Sequence, residues 1–313
     1  MIDDTAHGAR LYAHFLGDQR DDWPGDLTLA QRIERRVPNV SLIARNQRAF
    51  IMRAVATLAG YGIRQFLDIG SGLAHSPNVH EVAQAADPDC RVVYVDQDAV
   101  ITANQEASFA VDERVRHLTA DVRDPDAILQ APVVREFIDF DEPVGLLLAS
   151  VFLFVPDDAD PAGIIKRLVG ALPSGSYVAF SQGTYDYDDD RRPVHHLTRM
   201  YAEGGVIVTP GTRPPSPDSS TERAWPSSPP ASWPPTAGDP RTSGRVRRPT
   251  PAFTPPSRTS RNGATSGLQI DRLMTIIKGN SMFCAVFSAF LPRARSGVCR
   301  LRPPSPALAQ EAL

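Results

Sequence analysis

Cysteine is scarce. Cys90, Cys284 and Cys299 are odd in number and far apart. They build neither a disulfide framework nor a thiolate metal site, and a reduced cytoplasmic setting is expected. Lysine is scarcer still, at Lys166 and Lys278 alone, so the basic residues are almost all arginine. That bias suggests a GC-rich gene and says little about fold. No apolar run approaches the roughly 18 residues a membrane helix needs, so no membrane role is expected. The opening MIDDTAHGAR is polar and acidic, unlike a signal peptide. The net charge of -3 over 313 residues makes no electrostatic case for nucleic acid.

What is present is an ordinary globular composition, 42% hydrophobic and 22% charged. Acidic residues crowd the first two-thirds, whereas the last third is rich in arginine and poor in acids. Residues 29–37 and 44–60 carry helical periodicity, the second closed by Gly60 and Gly62. An alternation follows. Strands are expected at 64–69, 91–96, 115–121, 144–150 and 177–181. Helices or helical turns are expected at 78–86, 99–109, 126–130, 161–171 and 192–202. Strands alternating with helices imply right-handed crossovers and a doubly wound, mostly parallel α/β sheet.

In such a sheet, ligands bind beyond the carboxyl ends of the strands. The run RQFLDIGSGL places Asp68, Gly70, Ser71 and Gly72 there. The glycines let a ligand approach the backbone, and a helix starting near Asn78 would offer free N–H groups. A dinucleotide fingerprint wants a third glycine where His75 stands, which weakens a nicotinamide oxidoreductase reading. An acid just before the glycines suits a cation better than a diphosphate. S-adenosylmethionine (SAM) carries a sulfonium and an amino-acid end and no phosphate. Asp96 ends the second strand, where it can accept ribose hydroxyls, and Asp121 ends the third, within reach of an adenine amino group. Any one of these acids alone reads as a cap or loop residue. Three of them, with two glycines, read as a ligand site. Gln97 and Val122 follow the second and third acids. Ser150 ends the fourth strand, where a residue can face the methyl group. No catalytic base is assigned. His75 and His80 have no acidic partners at metal-ligand spacing, so no metal site is expected and His80 reads as a packing residue. Arg123 is expected to pair with Asp121 or Asp124.

The chain resembles the actinobacterial SAM-dependent methyltransferases once grouped as a domain of unknown function. The matching runs include ARLY at 9–12, RAF at 48–50, GIRQFLDIGSGL at 62–73 and NVHEVAQ at 78–84. RVVYVDQD at 91–98, ADVRDP at 120–125, FVPD at 154–157 and LPSGSYVAFS at 172–181 continue the match. The resemblance covers about residues 8–210. It implies a class I methyltransferase (Rossmann-like) domain over 1–205, SAM as cofactor, and a small-molecule or protein acceptor it does not identify. By analogy with the family's N-terminal segment, Tyr12 and Trp23 would form part of a lid.

Departures from the family pattern matter equally. Asp18 and Gln19 replace its second glycine and lysine, and Leu153 and Gln182 stand where it carries histidines. Those losses open a second reading, a SAM-binding protein or decayed paralogue without catalysis. Residues 210–256 then hold roughly three prolines in ten, against an average of about 5%. This stretch, with all of 206–313, is expected to be a largely disordered tail. A back-translation of 217–222 shifted by two bases yields Arg-Leu-Phe-Asp-Gly, like the family's missing run. A frameshift near Gly211 is therefore ranked above the alternative, a natural disordered tail whose Pro and Arg content would suit a binding module or an acidic surface. The sheet would then lack its terminal antiparallel hairpin, and the apolar patch at 282–291 would have no partner strand.

Overall fold

Short β-branched and aliphatic runs that stop at aspartate, serine or glycine become the strands of one sheet, and the amphipathic stretches between them become its covering helices. The structure is a computed structural model, and it describes residues 6–18, 24–184, 192–211, 269–279 and 282–290. The chain divides into two units, Met1–Pro215 with Leu268–Pro292, and Ser216–Gly267 with Arg293–Leu313. All described residues belong to the first. Trp23, the proline-rich stretch 212–256 and the site of the expected frameshift's shifted reading lie outside them.

Three helices precede the sheet. In α1 (Gly8–Leu16) the N-cap His7 accepts the Ala9 N–H through Nδ1. In α2 (Pro24–Arg36), proline begins the helix, Asp26 lies in its first turn and Arg35 and Arg36 in its last, as the helix dipole favours. The long α3 (Val40–Gly60) precedes Gly62, whose φ of 96° turns the chain toward the sheet. The alternation then runs β1 (Gln65–Ile69), α4 (Val79–Ala86), β2 (Arg91–Asp96), α5 (Ala99–Phe109) and β3 (Val115–Thr119). It continues through α6 (Pro125–Gln130), α7 (Pro132–Phe137), β4 (Gly145–Ala149), α8 (Pro161–Gly170), β5 (Tyr177–Gly183) and α9 (Arg192–Glu203). Helix α1 and helix α7 were not separately expected from periodicity. Each is short and carries too few turns for a clear pattern.

The strand order is β3-β2-β1-β4-β5-β7-β6, with β1 to β5 parallel. Strands β6 (Gln269–Gly279) and β7 (Met282–Phe290) form an antiparallel hairpin, and β7 pairs antiparallel with β5 from Tyr177↔Ser288 to Gly183↔Met282. This corrects the expectation that the terminal hairpin is missing and that 282–291 lacks partners. The hairpin follows a stretch of more than fifty residues after α9, so its link to β5 is invisible to local periodicity. In β6, Asp271 and Arg272 also interrupt the apolar run.

Strand side chains alternate between two cores. Leu67, Val93, Val95, Leu146 and Leu148 face Ile128, Val134, Ile164 and Leu168 on α6 to α8. Phe66, Val92, Tyr94 and Leu147 face Phe50, Val55, Leu58 and Val79 on α3 and α4. In β4, a Cβ on Gly145 would come within 2.6 Å of the Phe66 ring, so the absence of a side chain sets that packing. A third cluster joins Leu11, Phe15, Leu29, Ile33, Val40, Met200, Val206 and Val208. The expected tail therefore starts inside the body: Val206 and Val208 are buried, and Gly211 bridges Thr184.

Leu147 is fully buried at the centre of the sheet. Leu147→Ala should cost about 3 kcal/mol, within the ~2–5 typical of buried leucine truncation. Urea unfolding checks this: the midpoint should fall with an unchanged slope, and a loss below about 1 kcal/mol would contradict a packed sheet centre.

Candidate functional site

The site is built where β1 runs out. Asp68 is the penultimate residue of β1, and Gly70 and Gly72 follow with φ of 75° and 68°, a region that glycine enters without strain. A Cβ on Gly70 would lie 2.6 Å from Val151, so the turn after β4 also requires a glycine there. At Gly72 a Cβ would meet only Ala9, at 3.9 Å. The loop is pinned to β2: Gly70 and Ser71 donate to the Val95 carbonyl at 2.8 and 3.1 Å, and Gly72 N–H donates to Asp96 Oδ2 at 3.0 Å. Gln105 from α5 closes it, donating to Gly72 O and Ser71 Oγ.

A cavity of about 530 Å³ opens over this loop. That lies within the ~300–1,000 Å³ of small-molecule sites. Asp68, Gly70, Ser71, Gly72, Asp96, Gln97, Asp121, Val122 and Ser150 all line it. Asp96 ends β2 and is buried, and its Oδ1 accepts the Asp98 N–H at 3.1 Å. Burial raises its pKa, and the two N–H donors oppose the rise. Asp121 lies two residues beyond the end of β3. It accepts from Arg123 N at 2.9 Å and Nε at 2.8 Å, and that guanidinium holds its carboxyl below the usual range. The expected Asp121–Arg123 pair is therefore present, and both residues face the cavity.

Asp68 differs from both. It is buried, lines the cavity, and its carboxylate accepts no hydrogen bond among the described residues. Burial pushes its pKa up to about 7; Arg48 lowers it and Asp96 adds to the rise. A buried carboxylate without donors is matched to a cationic or N–H-bearing ligand.

The start of α4 does not serve the ligand. Glu81 accepts from Asn78 N at 2.6 Å and from Asn78 Nδ2, while Tyr94 Oη accepts the His80 N–H at 3.0 Å. These partners occupy the helix end, and no α4 residue lines the cavity. That corrects the expectation of free N–H groups near Asn78. His75, the third-glycine position, donates its N–H to Asn78 Oδ1. His80 packs edge-on against Tyr94 and Phe109, a core residue as expected.

Several residues escaped the sequence reading. Arg48 on α3 reaches the carbonyls of His75 and Pro77 at 2.6 and 2.7 Å and so braces the loop beyond Gly72. Gln47 is buried, bonds to Tyr12 and donates to Ser181 Oγ at 3.1 Å. His7 Nε2 meets Asp98 at 3.2 Å, and the His7 N–H reaches the buried Asp26 of α2 at 2.8 Å. Arg48 lies in the quoted RAF run, but nothing in periodicity marks it as a brace. Tyr12 lines the cavity. Leu153 also lines it, and the Gln182 side chain donates to Thr209 O at 3.4 Å.

The strand order, the glycine loop and the acids at successive strand ends define a class I methyltransferase fold with a nucleotide-type cleft. The S-adenosyl methyltransferase family profile matches residues 1–213, and the chain belongs to that family, whose cofactor is SAM. Among solved structures, it is 39% identical to a DUF574 family protein of Streptomyces avermitilis. That match covers 67% of this chain and 80% of the other, with a TM-score of 0.63. It is 34% identical to a candidate methyltransferase of Thermobifida fusca, covering 67% and 77%, with a TM-score of 0.61. No curated protein matches. Among the described residues, no helix is long and apolar enough to cross a membrane.

The Asp68 environment makes stability depend on pH. Its folded pKa of about 7 lies above the ordinary 3.8. Across that window the folded chain holds a proton that the unfolded chain has lost, so this group's contribution falls as pH rises and levels off above about 7. The ligand-free Asp68→Asn variant should be the more stable protein at pH 8, with the gap closing toward pH 4. Melting curves between pH 4 and 8 check this, and a constant gap would contradict it.

Proposed function

We propose that the chain binds SAM over β1 to β3 and transfers its methyl group to an acceptor held beside it. The observation that carries this is the donorless Asp68 carboxylate facing the cavity on a loop of two left-handed glycines. Asp68, Gly70 and Gly72 hold the amino-acid end, with Ser71 beside them. Asp96 accepts the ribose hydroxyls, with Gln97 adjacent. Asp121 and Val122 flank the adenine, and Ser150 faces the methyl group. The residues present fit the group: a cationic amine meets Asp68, and Gly72 leaves room for close approach. When bound, SAM supplies an electrophilic methyl on sulfur. Transfer would join that methyl to an acceptor lone pair as the carbon–sulfur pair returns to sulfur, with any acceptor proton passing to solvent, and Ser150 would face the methyl. The chain's task is then mainly positioning and exclusion of water, which needs no dedicated base.

A second reading, SAM binding without transfer, is supported by Leu153 and by Gln182, whose side chain is spent on Thr209. A frameshift near Gly211 is a separate proposal: the family match ends at residue 213, although the β6–β7 hairpin that it was expected to remove is present, and genomic sequence read in the shifted frame tests it.

Calorimetry with S-adenosylhomocysteine tests the site. Binding in the micromolar range is expected, weakened at least tenfold in a folded Asp96→Ala variant. Because Asp68 must ionise to meet the amine, binding near pH 6.5 should release a proton, seen as a heat that varies with the buffer's ionisation enthalpy. That release should vanish in Asp68→Asn. A folded protein that does not bind at all sinks the reading, while binding without methyl transfer to any acceptor favours the second.

A further inference from the structure

The cavity is larger than the cofactor region, and its two halves differ in chemistry. The strand order sets β3, β2 and β1 on one side and β4 and β5 on the other. Over the first three lie the acids and the glycine loop. Over β4 and β5 the walls come from α1, α9, the turn after β4, and residues 205–210. Among the described residues, every charged side chain lining the cavity is His7, Arg48, Asp68, Asp96, Asp121 or Arg123. All six are tied to the cofactor half: His7 to Asp98, Arg48 to the His75–Pro77 loop, Arg123 to Asp121. The other half is lined mainly by Phe15, Leu153, Leu197, Val206 and Val208; its neutral polar groups include Gln47, which bonds to Tyr12 and Ser181, and Thr198, which bonds to the Val194 carbonyl.

That apolar wall is fastened to the sheet. Thr209 N–H donates to Leu153 O at 2.7 Å, and Gly211 N–H to Gly183 O at 3.0 Å. Residues 205–211 therefore form a strap across the ends of β4 and β5. Tyr201 of α9 sits in this half. Its hydroxyl has no hydrogen-bond partner among the described residues, and burial keeps it protonated well above ordinary pH. It is a fixed O–H donor in apolar surroundings.

We propose that the acceptor is a neutral, largely apolar small molecule, seated over β4 and β5 against Phe15, Leu153, Leu197, Val206 and Val208 and hydrogen-bonded by the Tyr201 hydroxyl. The proposal rests on the SAM reading of the other half. A charged acceptor would lose its water there and find no opposite charge among the described walls. A neutral ring exchanges water for apolar contact and pairs the one idle hydroxyl.

The test uses the full chain saturated with S-adenosylhomocysteine and three probes of one shape: 2-naphthol, 2-naphthoate and 2-naphthylmethylammonium. Titration calorimetry should show 2-naphthol binding at least tenfold more tightly than either charged probe, without displacing the cofactor product. Tyr201→Phe should weaken 2-naphthol about fivefold, the worth of one hydrogen bond, and leave S-adenosylhomocysteine affinity unchanged. Equal or tighter binding of a charged probe overturns the proposal. So does displacement of the cofactor product by naphthol, or cofactor-product binding with no naphthol binding. Absence of S-adenosylhomocysteine binding overturns the cofactor reading itself, and the acceptor proposal with it.

Discussion

The site depends on one hydrogen bond, from the Gly72 N–H to Asp96 Oδ2 at 3.0 Å. It ties the loop after β1 to the end of β2, so that two neighbouring strands present one surface. The Asp98 N–H engages the other oxygen of Asp96, and Gln105 closes the loop from α5. With the loop fixed in this way, Asp96 is held close enough to Asp68 to add to the rise in its pKa. That arrangement is poor for an empty carboxylate pair and good for one facing an amine and a diol. Arg48 relieves it only through space: its charge lowers the Asp68 pKa, but its hydrogen bonds go to the His75 and Pro77 carbonyls. The brace keeps the loop shape while leaving Asp68 without a donor.

The same geometry explains why a diphosphate is disfavoured. A dinucleotide site relies on a helix start with free N–H groups. Here Glu81 and Tyr94 fill those positions, and the nearby carboxylates would repel phosphate. The missing third glycine is the visible part of this difference. The occupied helix end is the larger physical part.

Much of the parallel sheet was legible because each of its strands is a short apolar run closed by a turn residue. Val144 to Ser150 reads as a strand with no reference to the rest of the chain. The acids at strand ends were legible for the same reason: strand, acid and glycine are adjacent in sequence. What stayed hidden depends on contacts between distant residues. Gln47 bridges Tyr12 and Ser181. Val206 and Val208, read as the start of a tail, are buried against α1 and α2. The hairpin β6–β7 pairs with β5 across a long intervening segment. The helix start at Asn78 was misjudged because a capping glutamate three residues on can fill it, and sequence alone did not say that it would.

The cap over the site is held by apolar packing of Leu11 and Phe15 and by one buried acid. Asp26 on α2 accepts the His7 N–H and the Arg10 guanidinium, joining α2 to the start of α1. His7 in turn reaches Asp98, the residue that caps α5 beside Asp96. A run of polar contacts therefore leads from α2 through α1 to the acid expected to hold the ribose. Tyr12 and Phe15 ride on the same short helix and line the cavity. The position of α1 thus sets the cofactor half through His7 and the acceptor half through Phe15. A helix of nine residues has little stability of its own, so its placement is dictated by Asp26 and by packing on α3. The two proposed halves of the cavity therefore share one support, because His7 caps the helix that carries Phe15.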